Sequence, residues 1–321
     1  MTNKKISIAF CFDNNMWTHA GVAITSLLYH GRGVCAYDIY CVVPSDFGWS
    51  KRRELTSVVA NMDPNSKISF LNANNDFDDS VTHQYTVGIY YRFMLAKMLP
   101  KIKRIIYADV DVAFNDCLDE LYNCDMGDNV IAGVRDASQG RAWPSQKNGY
   151  INSGVLVMDL DKIRRLGLYE KWIELSKCDQ FMYPDQDILN KTCDGRILYL
   201  PLKFNYMPGA GNWLQPAVAQ GIYSESEFMD ATKNPVIIHY ILRQPWLGRA
   251  NLCGDVWWRY CAMTPFYAAF LARIRQMPDV VVKYVKVLNC INVMKIKMRQ
   301  NDIKCYLFGL IPICRIKRAN D

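Results

Sequence analysis

Ile102-Lys103-Arg104-Ile105-Ile106-Tyr107-Ala108-Asp109-Val110-Asp111 runs from bulky β-formers into two carboxylates one residue apart. A buried strand with that ending presents a hard-cation site at its carboxyl end, the edge where open α/β sheets bind ligands. Hard divalent cations take oxygen ligands, often one or two carboxylates completed by substrate phosphates. The spacing alone is weak: with 25 Asp in 321 residues, chance supplies roughly two Asp-x-Asp pairs, and a motif needs structural context. Four occur, at Asp76/Asp78, Asp109/Asp111, Asp159/Asp161 and Asp185/Asp187. Only Asp109/Asp111 directly follows a strand-like run, so context selects it.

Working outward, apolar and β-branched runs predict strands at Ile6–Phe12, Tyr37–Val43, Lys67–Leu71, Arg104–Ala108, Val130–Val134, Gly154–Leu160, Arg196–Leu200 and Val236–Tyr240. Helical periodicity falls on Thr18–Tyr29, Ser50–Met62, Tyr90–Leu99, Asp161–Ser176, Asp185–Thr192 and Thr264–Arg275. The alternation predicts an α/β fold: a mainly parallel, Rossmann-like central sheet flanked by helices. Asn72–Asp79 reads as a polar loop, and Met207–Gly221, rich in Gly and Pro, shows no periodicity. With no linker evident in 1–265, that span is expected to be one catalytic domain, followed by a helical, basic tail over 266–321.

Half of the residues are hydrophobic and 12% aromatic, which excludes a disordered class. The net charge of +7 is uneven, because residues 280–321 hold nine Lys/Arg against two acids while residues 1–279 carry 29 of each sign. Apolar residues interspersed with cations suit a segment lying on an anionic membrane surface or, alternatively, a solvated helix. No nucleic-acid-binding motif accompanies the charge. Twelve cysteines form no C-x-x-C, and Cys11 and Cys41 lie inside apolar runs, so a reduced, cytoplasmic protein without a cysteine metal site is expected. The first apolar run stops at Asp13 and reads as a strand rather than a signal sequence. Nothing approaches the ~18 apolar residues of a membrane span.

Other candidate site residues lie at strand mouths and helix starts. Cys11-Phe12-Asp13-Asn14-Asn15 is placed either to bind a base or ribose or to cap the next helix. No G-x-G-x-x-G is present. Tyr183-Pro184-Asp185-Gln186-Asp187 puts acids at a helix start, where the dipole favours them. His239 ends a strand; it is either a hydrogen-bonded core residue or a ligand for a borderline metal such as manganese.

Taken together, these segments resemble the family 8 retaining glycosyltransferases, which include bacterial lipopolysaccharide galactosyl- and glucosyltransferases and glycogenin. The resemblance covers about residues 6–265. It rests on Asp13/Asn15, Tyr91-Arg92, Tyr107-Ala108-Asp109-Val110-Asp111, Asn152-Ser153-Gly154-Val155, Asp185-Gln186-Asp187-Ile188-Leu189-Asn190, Phe204-Asn205-Tyr206-Met207-Pro208, and His239-Tyr240 before Pro245-Trp246. It implies a GT-A fold, a UDP-hexose donor and a divalent metal, Mn2+ (or Mg2+). Position by position, it makes Asp109, Asp111 and His239 the metal ligands and sets Asp13 and Asn15 against the uridine. Arg92, Asn152 and Ser153 then border the donor sugar and phosphates, with Val110 between the paired acids. Asp185 holds sugar hydroxyls, and Gln186 faces the anomeric carbon opposite the leaving group. After His239 the sequence departs from the family: the usual Gly and Lys before Pro-Trp are absent, and Arg243 is the candidate phosphate contact in their place. His83 and Trp246 are the acceptor-side candidates; Trp213, Trp257 and Trp258 either stack on sugars or pack helices.

The expected activity is retaining transfer of galactose or glucose from a UDP-sugar to a saccharide acceptor, lipopolysaccharide or another lipid-linked glycan. The alternatives are a metal-dependent nucleotidyltransferase, which lacks its Gly/Arg-rich phosphate loop here, and a catalytically silent nucleotide-sugar- or glycan-binding protein. The expected location is the cytoplasmic side of the cell membrane, held peripherally through 280–321.

Overall fold

Eight of the nine strands between Lys4 and His239 follow the predicted runs. The computed structural model describes residues 4–136, 149–248 and 252–276, apart from side chains at 4 and 210–213, and the backbone of four strands between 281 and 317. The strands are β1 (Lys4–Cys11), β2 (Cys35–Val43), β3 (Lys67–Asn72), β4 (Arg104–Ala108), β5 (Val112–Phe114), β6 (Ile131–Arg135), β7 (Ile151–Asp159), β8 (Ile197–Leu200) and β9 (Ile237–His239). Seven form one sheet in the order β3-β2-β1-β4-β7-β6-β8. Every neighbouring pair is parallel except β4·β7 and β6·β7, so β7 alone runs against the rest. β1, β4 and β7 are almost wholly buried, as strands covered on both faces should be.

The chain runs from β1 out to β2 and β3, then crosses back to place β4 on the other side of β1. That reversal is a topological switch point, and it opens a crevice beyond the carboxyl ends of the two strands. Cys11-Phe12-Asp13 and Asp109-Val110-Asp111 both leave the sheet there. On one face, Ile105, Tyr107, Leu156 and Met158 join Phe93 and Trp172 in a continuous core.

Three local expectations are corrected. The single helix over Asp161–Ser176 is two, Leu160–Arg165 and Leu168–Ser176, because Gly167 between them adopts φ +59°. Tyr90–Leu99 begins as a 3-10 helix (Val87–Met94) before one α-turn. Met207–Gly221 contains a helix, Gly211–Ala219, which keeps Pro216 within it and buries Leu214 and Ala217. Two apolar positions are too thin a stripe to read against the surrounding Gly and Pro.

The chain divides into two compact units, Met1–Pro245 with Arg249–Tyr267, and Trp246–Gly248 with Ala268–Asp321. The expected helical character of the tail is also corrected. After helix Tyr267–Arg275 come β10 (Val281–Val287), β11 (Ile291–Arg299), β12 (Asp302–Leu307) and β13 (Ile311–Lys317), an antiparallel sheet in sequence order. Met294-Lys295-Ile296-Lys297-Met298-Arg299 alternates with period two, a strand pattern that short apolar runs obscure.

Candidate active site

The candidate metal-binding cluster assembles because a three-residue strand follows Asp111 directly. β5 pairs with β9 so that Val112 lies opposite His239, and the Tyr240 N–H donates to the Asp111 carbonyl at 2.9 Å. That ladder fixes the imidazole beside the paired acids. His239 Nε2 lies 3.2 Å from Asp111 Oδ1 and 3.8 Å from Asp109 Oδ2. One donor atom from each of the three residues falls within a 4.8 Å cluster. Two carboxylate oxygens and an imidazole nitrogen suit a divalent ion of intermediate hardness such as Mn2+. The residues present therefore fit the cation.

Electrostatics bind the site to its surroundings. Arg92 is buried, donating to Asp109 Oδ1 at 3.0 Å and to the Ser153 carbonyl at 2.6 Å. Further partners are the Ile89 carbonyl at 3.0 Å and Asp185 Oδ2 at 3.2 Å, and its guanidinium lies over the Tyr107 ring, 4.4 Å from the centroid. The Tyr107 hydroxyl donates to the same Asp109 oxygen. Burial pushes the Asp109 pKa above the ordinary carboxylate range, and Arg92 offsets only part of that rise. At Asp111, burial acts in the same direction but His239 outweighs it, holding that carboxyl low. His239 moves the opposite way: burial opposes its charge, yet Asp111 and Asp109 raise its pKa above 6.5. A cation must displace the Nε2 proton, so Mn2+ binding should weaken as pH falls through that raised value. The expected loss is about tenfold per pH unit below it, read by Mn2+ titration across neutral pH; affinity independent of pH would remove His239 from the ligand set.

A cavity of about 470 Å3 opens over these groups. Its wall includes Asp13, Arg92, Val110, Asn152, Ser153, Asp185 and Gln186 together with the three candidate ligands. Asp13 Oδ1 accepts the N–H groups of Asn15 at 2.8 Å and Met16 at 3.1 Å, so the residue shapes the turn while lining the cavity. The remaining candidates do not line it. Asn15 and Arg243 are exposed. His83 meets the Phe181 carbonyl at 2.8 Å and stands 3.6 Å from Asp179. Trp246 and Trp257 are buried, and the Trp213 side chain lies outside the described residues.

Helix Pro184–Thr192 presents Asp185 and Gln186 to the cavity. Asp187 points away from it, accepting from the Tyr150 hydroxyl and from the Tyr183 N–H at 2.9 Å. Asn190 anchors the helix to β7 by exchanging hydrogen bonds with both main-chain groups of Ile151. Four contributors escaped the sequence reading: Asp136, which accepts from Gln186 Nε2 at 3.2 Å; Asn205, which meets His239 Nδ1 at 2.9 Å; Tyr107; and Gly154. Asn205, Tyr107 and Gly154 lay inside quoted motifs, but nothing in the spacing assigned them a task. Asp136 carried no signal.

A switch-point crevice walled by an acid–imidazole cluster, on this strand order, matches the GT-A-like fold of solved glycosyltransferases. The chain belongs to Glycosyl transferase family 8, whose sequence pattern matches residues 7–250. It is 26% identical over 260 residues to the lipopolysaccharide 1,2-glucosyltransferase of Escherichia coli K12, covering 76% of this chain and 74% of that one. A putative glycosyltransferase of Haemophilus influenzae is 32% identical over 132 residues, 38% of this chain and 40% of that protein. Among solved structures, the galactosyltransferase LgtC in complex with donor and acceptor sugar analogs superposes with a TM-score of 0.68 at 22% identity, covering 81% of this chain and 96% of LgtC.

Proposed function

We propose that the chain is a retaining hexosyltransferase moving galactose or glucose from UDP-hexose to a saccharide acceptor. The observation that carries this reading is the convergence of Asp109, Asp111 and His239 in one cavity with Asp185 and Gln186. When bound there, Mn2+ or Mg2+ supplies Lewis-acid stabilisation for the charge that grows on the departing diphosphate. Asp13 meets the uridine at the mouth of β1, and Asp185 takes donor-sugar hydroxyls. Gln186 sits on the far side of the anomeric carbon as a fixed amide. Its Oε1 accepts from Asn152 Nδ2 at 3.1 Å and the Ser153 N–H at 3.0 Å, and its Nε2 donates to Asp136.

An amide held on both ends is a poor nucleophile, unlike the second carboxylate of a retaining glycosidase. The reaction therefore proceeds by front-face attack. The acceptor hydroxyl approaches on the side from which UDP departs, and the leaving phosphate oxygen takes its proton. A panel of radiolabelled UDP-sugars, assayed with and without Mn2+ and acceptor, tests the activity. Metal-dependent transfer plus slow hydrolysis without acceptor is expected from one UDP-hexose; neither from any UDP-sugar contradicts it. A covalent glycosyl adduct on wild type as well as on Gln186→Glu contradicts the front-face route.

The acceptor we propose is a lipid-linked glycan such as lipopolysaccharide, met at the cytoplasmic face of the cell membrane. Support comes from the lipopolysaccharide glycosyltransferases among its relatives and from the charge of +7 on residues 280–321. Backbone register aligns Lys297 with Lys304 and Lys304 with Arg315, and each cation near an anionic leaflet contributes about 1 kcal/mol. No helix among the described residues is long and apolar enough to cross a membrane. Residues 1–279 alone should leave anionic vesicles that the full chain binds; equal sedimentation of both excludes the tail as the anchor.

A further inference from the structure

Behind the acid–imidazole cluster lies a run of buried amides whose polarity is fixed by backbone donors. The Gly154 N–H donates to Asn152 Oδ1 at 3.0 Å, which leaves Asn152 Nδ2 to face Gln186 Oε1. That oxygen also receives the Ser153 N–H, so a second backbone group enforces the same direction. Asn152 Oδ1 accepts in addition from Asn205 Nδ2 at 2.8 Å. With its nitrogen committed, Asn205 turns its oxygen toward His239 Nδ1, 2.9 Å away. An amide oxygen only accepts hydrogen bonds, so Nδ1 is the donor of this pair, while Nε2 faces Asp111 Oδ1 at 3.2 Å. Asn205 is 0% exposed, so its contact with the ring is shielded from bulk water.

We infer that Asn205 is a positioning residue that holds His239 in its Nδ1–H form and so directs the Nε2 lone pair toward Asp109 and Asp111. Metal-binding imidazoles commonly donate their second N–H to a fixed acceptor, which sets tautomer and ring orientation. Here the acceptor belongs to the same amide run that orients Gln186. The candidate metal ligand and the residue facing the anomeric carbon are therefore aligned by one hydrogen-bonded chain, His239–Asn205–Asn152–Gln186. The inference rests on the metal-site reading of the cluster.

Nitrogen-15 NMR of the metal-free full chain reads directly whether Nδ1 carries a proton. EPR titration with Mn2+ reads the affinity. Wild type and Asn205→Asp, which keeps an acceptor oxygen at that position, should show the proton on Nδ1 and bind Mn2+ within a few-fold of each other. Asn205→Leu, branched alike at Cγ but without an acceptor, should leave Nδ1 bare and weaken Mn2+ binding by about 10- to 100-fold. A bare Nδ1 in wild type, or Asn205→Leu binding Mn2+ as wild type does, overturns the inference. Should Asn205→Leu fail to fold, the spectra of wild type and Asn205→Asp still decide. A wild type that binds no Mn2+ yet keeps the Nδ1 proton contradicts the metal reading while upholding the tautomer assignment.

Discussion

Asp109→Ala should abolish divalent-cation-dependent UDP binding and lower sugar transfer by about a thousandfold or more, with the chain still folded. A catalytic cation is worth several kcal/mol of charge stabilisation, and each 1.36 kcal/mol is about tenfold in rate. Asp109 is also a partner of buried Arg92, so its removal tests whether the site or the fold gives way. The fold should survive because Arg92 keeps Asp185 at 3.2 Å and the Ser153 carbonyl at 2.6 Å. The tie between the Asp109 N–H and the Gly154 carbonyl is main-chain and persists. Asp109→Asn preserves the shape and removes only the charge, so it should share the loss of binding. Calorimetry with UDP, with and without Mn2+, alongside a thermal melt, separates the outcomes. Unchanged metal-dependent binding in either variant excludes Asp109 from the site.

Gly154→Ala is expected to be nearly as damaging, for a steric reason. A Cβ at this position would stand 2.2 Å from His239 Cε1 and 2.9 Å from both His239 Nδ1 and Asp109 Oδ2. His239 cannot retreat, because Asn205 holds one edge of its ring and the ladder with β5 holds its backbone. The glycine is thus required by close approach of two candidate ligands. Overpacking of this kind costs about 1–3 kcal/mol, and the displaced imidazole should also weaken Mn2+ binding by at least about tenfold. Gly48→Ala, where no atom lies within 4 Å, serves as the control and should leave Mn2+ affinity unchanged. Equal affinity in Gly154→Ala would show that the imidazole need not sit where it does.

How far the sequence disclosed this arrangement depended on how locally each feature is encoded. The buried strands around the switch point were legible because strands covered on both faces read as unbroken apolar runs, as in Ile105-Ile106-Tyr107-Ala108. β5, only Val112–Phe114, has no such signature, yet it brings His239 to Asp111. Gly167 was visible as a residue, but its left-handed conformation, which divides one predicted helix into two, was not. In the tail, the mixture of cations and apolar residues was read as helical, although its alternation favoured strands.

The site divides along the same line. The paired acids and His239 were found from strand context and family resemblance together. Arg92 was expected at the donor sugar and phosphates; the structure adds its salt bridges to Asp109 and Asp185. Asn205, Asp136 and Gly154 act through contacts between distant segments: an amide on a ring nitrogen, an acid on Gln186, an empty space beneath the cluster. Spacing along the chain carries no trace of such contacts.

One imidazole and two aspartates are proposed to hold a divalent ion beneath a sugar diphosphate. Pulsed EPR of the full chain with Mn2+ and UDP, prepared with nitrogen-15 histidine, tests it most directly. Coupling of the manganese to one imidazole nitrogen and to phosphorus is expected, with the nitrogen coupling lost in His239→Ala. Manganese coupled to UDP phosphorus but to no imidazole nitrogen in wild type, or a nitrogen coupling that survives His239→Ala, would contradict it.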